Sequence, residues 1–378
     1  MFRGGYRLPF RLLGIPLHLD PSFIIVLPLF AWLIGSRIEA YINLFRLPID
    51  PQALQVGYTP FVLGLLAALG LFASVVVHEL GHSVVGRYYG ARVKQITLWV
   101  LGGVAQFEEI PRQRGAEAVI AIAGPVTSIA LALVCRLLWP ALPPEAYAAQ
   151  FVVGYLTYMN VALAVFNLLP ALPLDGGRIL RSLLALRMPY LRATQTSAGI
   201  SHFLALLLGL YGFLQFNIFL MLIAFFIYMA GSAETQHTLV AEMLDGIKVH
   251  DLMTRTIETV PADMRVADLI DKMMRESHLG YPVVDQHGRL VGMVDLHDLQ
   301  GVSADSPIER VMTRDITTIP DRASALEAFR TMSTNNFKRM VVVGPAREMV
   351  GIITKTDLVR AVQVRVVGQA LLSSEARE

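Results

Sequence analysis

Residues 23–34, 61–85, 116–139 and 151–169 are stretches in which apolar side chains continue around the whole helical circumference and leave no sustained polar face. A hydrocarbon core of about 30 Å takes a helix of about 20 such residues, so each stretch predicts a membrane span. The next apolar stretch, residues 199–230, would be about 48 Å long as one helix, too long for a simple tilt. It is expected to fold into two short helices that meet near Gly209, Gly212, Gln215 and Asn217. The pattern therefore predicts a polytopic α-helical membrane protein with about six transmembrane helices. Beyond residue 248 it changes to amphipathic helical periods (266–275, 324–333) alternating with short β-branched runs (282–284, 290–294, 340–343, 350–353), the signature of a soluble α/β domain.

That second region is a repeat. Met253-Thr254-Arg255 returns as Met312-Thr313-Arg314, Pro261 as Pro320, Val283-Val284 as Val342-Val343, and Asp298-Leu299 as Asp357-Leu358, all at an offset of 59. A gapless offset means two copies of one supersecondary unit, each covering the apolar face of the other. The expected divisions are a membrane domain at 1–235, a linker at 236–248, and modules at 249–302 and 308–364.

Charge follows the same division. Only 16% of the 378 residues are charged, and residues 1–240 hold just 25 of the 62 charged side chains. The net charge of +2 sums a mildly basic first part and a mildly acidic second, so neither a single soluble domain nor a nucleic-acid binder fits. One cysteine, Cys135, excludes a disulfide framework and a cysteine metal cluster. Basic residues cluster before the first span (Arg3, Arg7, Arg11), after the second (Arg87, Arg92, Lys94, Arg112, Arg114) and after the fourth (Arg178, Arg181, Arg187, Arg192). The positive-inside rule then predicts the cell (cytoplasmic) membrane as location, with both termini cytoplasmic and the first span retained as an anchor.

The second span contains His78-Glu79-Leu80-Gly81-His82. Histidines four apart lie on one helix face, where both imidazoles can bind one Zn²⁺ ion at about 2.0–2.1 Å, while Glu79, about 100° around the helix, is left to handle a proton. His78 is nine residues before Arg87, about 14 Å from that end of the helix, and ionisable groups at such depth are functional by default. A catalytic zinc site needs a third protein ligand, and the acidic residue in a comparable setting is Asp175, behind Pro170 and Pro173 and before Gly176-Gly177, which together should break the helix. Residues 96–107, β-branched and aromatic around Gly102 and Gly103, predict a re-entrant hairpin whose free edge can bind an extended substrate peptide. His202, alone in the fifth helix, reads as a packing residue. A metal-ion transporter regulated by its tail would use the same three ligands, but it has no task for Glu79.

In the order Gly14-Ile15-Pro16, H-E-x-x-H, Leu101-Gly102-Gly103-Val104-Ala105, Ala123-Gly124-Pro125 and Asn167-x-x-Pro…Asp175-Gly176, the membrane part resembles the site-2 protease family of intramembrane metalloproteases. The subgroup with appended modules is similar to the sporulation-factor-processing proteases. The resemblance implies His78, His82 and Asp175 as zinc ligands, Glu79 as general base, and Asn167 as a polar group near the reacting carbonyl. It also implies a single-span membrane protein as substrate and the lipid bilayer as surroundings. The repeat resembles a tandem pair of cystathionine-β-synthase (CBS) modules. That implies an adenosine nucleotide (ATP, ADP or AMP) in the cleft, contacted by Thr354 and Asp357, with Asp298 as the first-copy counterpart, and homodimerisation through the modules. The first copy has Asp295 where the second has Thr354, so a phosphate should be repelled there.

Overall fold

The computed structural model describes residues 5–99, 102–107, 115–276, 278–335 and 337–375. The chain divides into two compact units, Met1–Gln236 and His237–Glu378. Arg3, Leu101, Arg112 and Arg114 lie outside the described residues.

The first unit contains β1 (Tyr6–Leu12), β2 (Ile15–Leu19), α1 (Phe23–Gly35), α2 (Ile38–Phe45), α3 (Thr59–Tyr88), β3 (Val93–Trp99), β4 (Gly102–Phe107), α4 (Ala116–Leu138), α5 (Tyr147–Asn167), α6 (Asp175–Leu184), α7 (Tyr190–Leu214) and α8 (Ile218–Met243). Among the described residues five helices, α3, α4, α5, α7 and α8, are long and apolar enough to cross a membrane. The first expected span, 23–34, forms a helix with nearly those bounds but is too short to cross alone. With 13 residues and Pro28 inside it, α1 rises only about 20 Å, and the count reaches six only when α1 is paired with α2 across a 66° bend. The stretch 199–230 does break near Gln215 and Asn217, where Asn217 Oδ1 accepts from the backbone N–H groups of Phe219 (3.1 Å) and Leu220 (3.2 Å). Its two helices are not short, however: α7 has 25 residues and α8 has 26, because helical sequence continues past both ends of the apolar stretch.

Strands β1 to β4 form one sheet in that order, with β2 and β3 parallel and the two flanking pairs antiparallel. The expected hairpin is β3–β4; Val100 and Leu101 between the two strands lie outside the described residues. The β1–β2 hairpin was not predicted. It turns tightly at Leu13 (φ 50°) and Gly14 (φ 79°), and Leu-Gly lacks the Asn or Asp that marks such turns. The sheet covers α3: Ile15, Leu17, Ile96 and Leu98 pack with Phe72, Val75 and Val76 of the helix. Arg87 Nη1 also donates to the Leu13 carbonyl (2.6 Å).

The second unit contains α9 (Val249–Leu252), β5 (Val260–Pro261), α10 (Val266–Glu276), β6 (Gly280–Val284), β7 (Leu290–Asp295), β8 (Thr318–Pro320), α11 (Ala325–Asn335), β9 (Arg339–Val343), β10 (Met349–Thr354) and α12 (Lys355–Glu375). Two three-stranded sheets, β5-β6-β7 and β10-β9-β8, repeat one topology. The copies interlock by a symmetric exchange. Thr254 bridges Ile352 while Thr313 bridges Met293, and Lys248 bridges Ser324 while Pro307 bridges Arg265, each pair being the other shifted by the repeat offset. Each copy thus supplies backbone partners that the other lacks.

Candidate metal centre

His78 and His82 project from α3, and Asp175 opens α6. All three side chains are nearly closed to solvent. His78 Nε2 and His82 Nε2 lie 3.1 Å apart, and each lies 3.2 Å from Asp175 Oδ2. Zinc ligands at about 2.0–2.1 Å in a tetrahedron stand about 3.3–3.4 Å from one another, so this triangle has nearly the right edge length. The outer ring nitrogens orient the rings. His82 Nδ1 donates to the Ile120 carbonyl (2.7 Å), which leaves its Nε2 lone pair facing the triangle, and His78 Nδ1 pairs with Ser128 Oγ (2.8 Å).

The floor of the triangle is Gly124 of α4. A Cβ built there would meet His82 Nε2 and lie 2.6 Å from His78 Nε2, so the missing side chain leaves a cradle where both nitrogens point. A cradle edged by two imidazole nitrogens and a carboxylate oxygen, with little exposure to bulk solvent, suits a zinc ion.

Glu79 stands beside the triangle and takes a different partner. His78, Glu79 and His82 have donor atoms within 4.8 Å of one another, but Glu79 Oε2 accepts from the backbone N–H of Ala105 in β4 (2.9 Å). Strand β4 reaches it because Gly103 has no side chain: a Cβ there would lie 2.9 Å from Glu79 Cγ and 2.8 Å from Val75 Cγ1. Gly102 opens β4 opposite Trp99, a position away from the residue that meets Glu79.

The break before Asp175 differs from the expected one. Pro170 and Pro173 fall between α5 and α6, but Gly176 and Gly177 are helical, in the first turn of α6. Their missing side chains let the loop fold back, since a Cβ at Gly176 would meet the carbonyls of Leu168 and Leu169, and one at Gly177 the backbone of Ala171 and Leu172. Ser201 Oγ of α7 accepts from Leu172 N–H (2.7 Å), fixing that loop. Asn167 Nδ2 donates to Leu163 O, one turn back in its own helix (3.0 Å). His202 Nε2 pairs with Ser232 Oγ (3.0 Å), away from the triangle.

In the second unit, Asp298 and Asp357 each stand three residues after the residue that caps a helical turn. Asp298 Oδ2 accepts from Asp295 N–H (2.8 Å), and Asp357 Oδ2 accepts from Thr354 N–H (2.9 Å) and Thr354 Oγ1 (2.7 Å), so each is the third-position partner of a capping box. Asp295 is not an isolated negative charge either. Arg339 Nη2 lies 3.1 Å from its carboxylate. This neutralising partner comes from the other copy and has no counterpart at the same offset, where Gly280 stands.

Spanning helices around a buried His-His-Asp triangle, with a glutamate beside it that is bonded to Ala105 N–H, point to a membrane-embedded metallohydrolase. Residues 66–144 and 143–210 match peptidase family M50, and residues 249–305 and 308–364 each match the CBS domain. The chain is 36% identical over 306 residues to the zinc metalloprotease MJ0392 of Methanocaldococcus jannaschii, covering 78% of this chain and 84% of that one. It is 31% identical over 384 residues to Rip3 of Mycobacterium tuberculosis, covering 94% and 92%. The solved site-2 protease from Methanocaldococcus jannaschii is 33% identical, with a TM-score of 0.42, and the match covers 61% of this chain and 95% of that one. The chain belongs to peptidase family M50, the site-2 proteases, and is a zinc-dependent hydrolase with a tandem CBS pair.

Proposed function

We propose that this hydrolase is an intramembrane endopeptidase that cuts the transmembrane segment of a single-span membrane protein. His78, His82 and Asp175 would hold one zinc ion, with Glu79 as general base. The observation that carries the reading is the separation of tasks: three donor atoms converge on one another, while the Glu79 carboxylate is held out of the triangle by Ala105. When bound, zinc polarises the scissile carbonyl and makes water a better acid. Glu79 Oε2 takes the proton from water and returns it to the leaving amine.

Substrate orientation follows from β4. Among the described residues it is the last strand of its sheet, and Ala105 N–H points away from β3 toward Glu79. Peptide groups two residues apart face the same way, so Gly103 presents its N–H and C=O along the same edge. An unwound substrate segment pairing there would lie beside Glu79. Asn167 would reach the substrate carbonyl by exchanging its bond to Leu163 O. The clusters at Arg7 and Arg11 and at Arg87, Arg92 and Lys94 support a cytoplasmic side for both termini, and the CBS pair is read as an adenosine-nucleotide sensor acting through Thr354 and Asp357.

The test compares the membrane proteins of cells expressing the wild type with those of cells expressing Glu79→Gln. At least one single-span protein should persist uncut only in the variant. Identical profiles would reject the proteolytic reading.

A further inference from the structure

The helix that opens with Asp175 is held farther along by a buried guanidinium. Arg181 is 1% exposed. Its Nε donates to Glu117 Oε1 (3.0 Å), its Nη2 to the same oxygen, and its Nη1 to Glu234 Oε1 (2.8 Å). Tyr190 Oη donates to Glu117 Oε2 (3.2 Å), and its ring lies 5.2 Å from the Arg181 guanidinium carbon. One side chain of α6 is thereby joined to α4, α7 and α8. Arg181 is six residues, about 9 Å, along α6 from Asp175.

This network has no part in the chemistry, yet it sits where small displacements would count. The α6 helix has only 10 residues, so it moves as a rigid piece with Asp175 at one end and Arg181 near the other. Glu117 belongs to α4, the helix that also supplies Gly124 and Ser128 to the triangle. Glu234 belongs to α8, which runs unbroken to Met243, seven residues past the boundary of the first unit.

We propose that Arg181 is a positioning residue for Asp175. With Glu117 and Glu234 it sets the place of α6 against α4 and α8, so displacement of α8 reaches the metal triangle through the Arg181–Glu234 bond. This rests on the reading of Asp175 as a zinc ligand.

The test is zinc affinity of the full-length protein in detergent, measured by chelator competition. Glu234→Gln keeps the shape and leaves the Arg181–Glu117 pair intact. It should weaken zinc binding about tenfold, the low end of what outer partners of metal ligands contribute, with an unchanged unfolding midpoint of the metal-free protein. Hydrogen exchange in α6 of that metal-free protein should quicken, which a role confined to global stability would not produce. Combined with Asp175→Ala, Glu234→Gln should add nothing, because its effect passes through Asp175. Glu234→Asp, which retains the charge, should recover part of the affinity, and it replaces Glu234→Gln if that variant lowers the midpoint. Wild-type zinc affinity in Glu234→Gln, alongside a loss in Asp175→Ala, overturns the positioning role alone. Wild-type affinity in Asp175→Ala overturns the ligand reading and the positioning role with it.

Discussion

Replacing Gly124 with alanine should empty the metal site while leaving the protein folded. The added Cβ would stand 2.6 Å from His78 Nε2 and closer still to His82 Nε2, whereas real Cβ contacts essentially never fall below 3.0 Å. The His78 ring must therefore retreat by at least about 0.4 Å and the His82 ring by more, against a tolerance of about 0.2 Å in zinc–ligand distances. The rings have little room to do so, because Ser128 and the Ile120 carbonyl hold their far sides at 2.8 and 2.7 Å. Zinc affinity should fall by at least about 100-fold, the upper end of what loss of an orienting partner alone causes. Stability should change far less. Overpacking by one methyl costs about 1–3 kcal/mol, and alanine in place of glycine inside a helix returns about 1 kcal/mol, leaving a net loss of at most about 2 kcal/mol. Metal analysis and thermal unfolding of the purified variant separate the two effects. A Gly124→Ala protein that binds one zinc ion with wild-type affinity would refute the placement of the cradle.

Gly103→Ala should keep its zinc but lower kcat about 10- to 100-fold, since the new methyl presses on Glu79 Cγ and misplaces the base; loss of zinc instead would contradict the separate roles of Glu79 and the triangle. Thr354→Val should weaken adenosine-nucleotide binding about 10-fold, since a hydrogen bond to a charged group is worth at least about 1.5 kcal/mol, and unchanged affinity by calorimetry would reject the role of Thr354. Asp295→Thr should release Arg339 and add a second anion site, and calorimetry on the full-length protein that finds no change in stoichiometry would reject that role for Arg339. A reporter fused after Glu378 should read as cytoplasmic and one inserted at Leu142 as external; the opposite result would reverse the proposed topology.

The repeat, the strands of the CBS pair and the His-Glu-His helix were legible because each is written in local spacing: an offset of 59, a period of two, a separation of four. The break between α7 and α8 was legible for the same reason, since Asn217 caps α8 with its own side chain. What escaped is what only contact between distant segments decides. Ser128 and the Ile120 carbonyl look like any other groups of an apolar helix, and Gly124 stands out only as part of the Ala123-Gly124-Pro125 motif with no task of its own; all three acquire one when α4 lies across α3. Arg181 was counted as a loop cation in the topology argument, yet it is buried between two carboxylates from helices 64 and 53 residues away. Arg339 escaped for a related reason: its partner Asp295 belongs to the other copy, so the isolated-carboxylate reading of the first-copy cleft needed correction. The two glycines after Asp175 were read as helix breakers when they serve close packing inside α6.

The central claim is that one glutamate performs the chemistry while three other side chains hold the metal. Purified full-length Glu79→Gln tests it most directly, by zinc content and by cleavage of a membrane-protein substrate measured on the same sample. The variant should carry one zinc ion per chain and cut nothing, because the amide can occupy the site beside Ala105 but cannot accept the proton from water. Cleavage at the wild-type rate by that zinc-loaded variant would contradict the account.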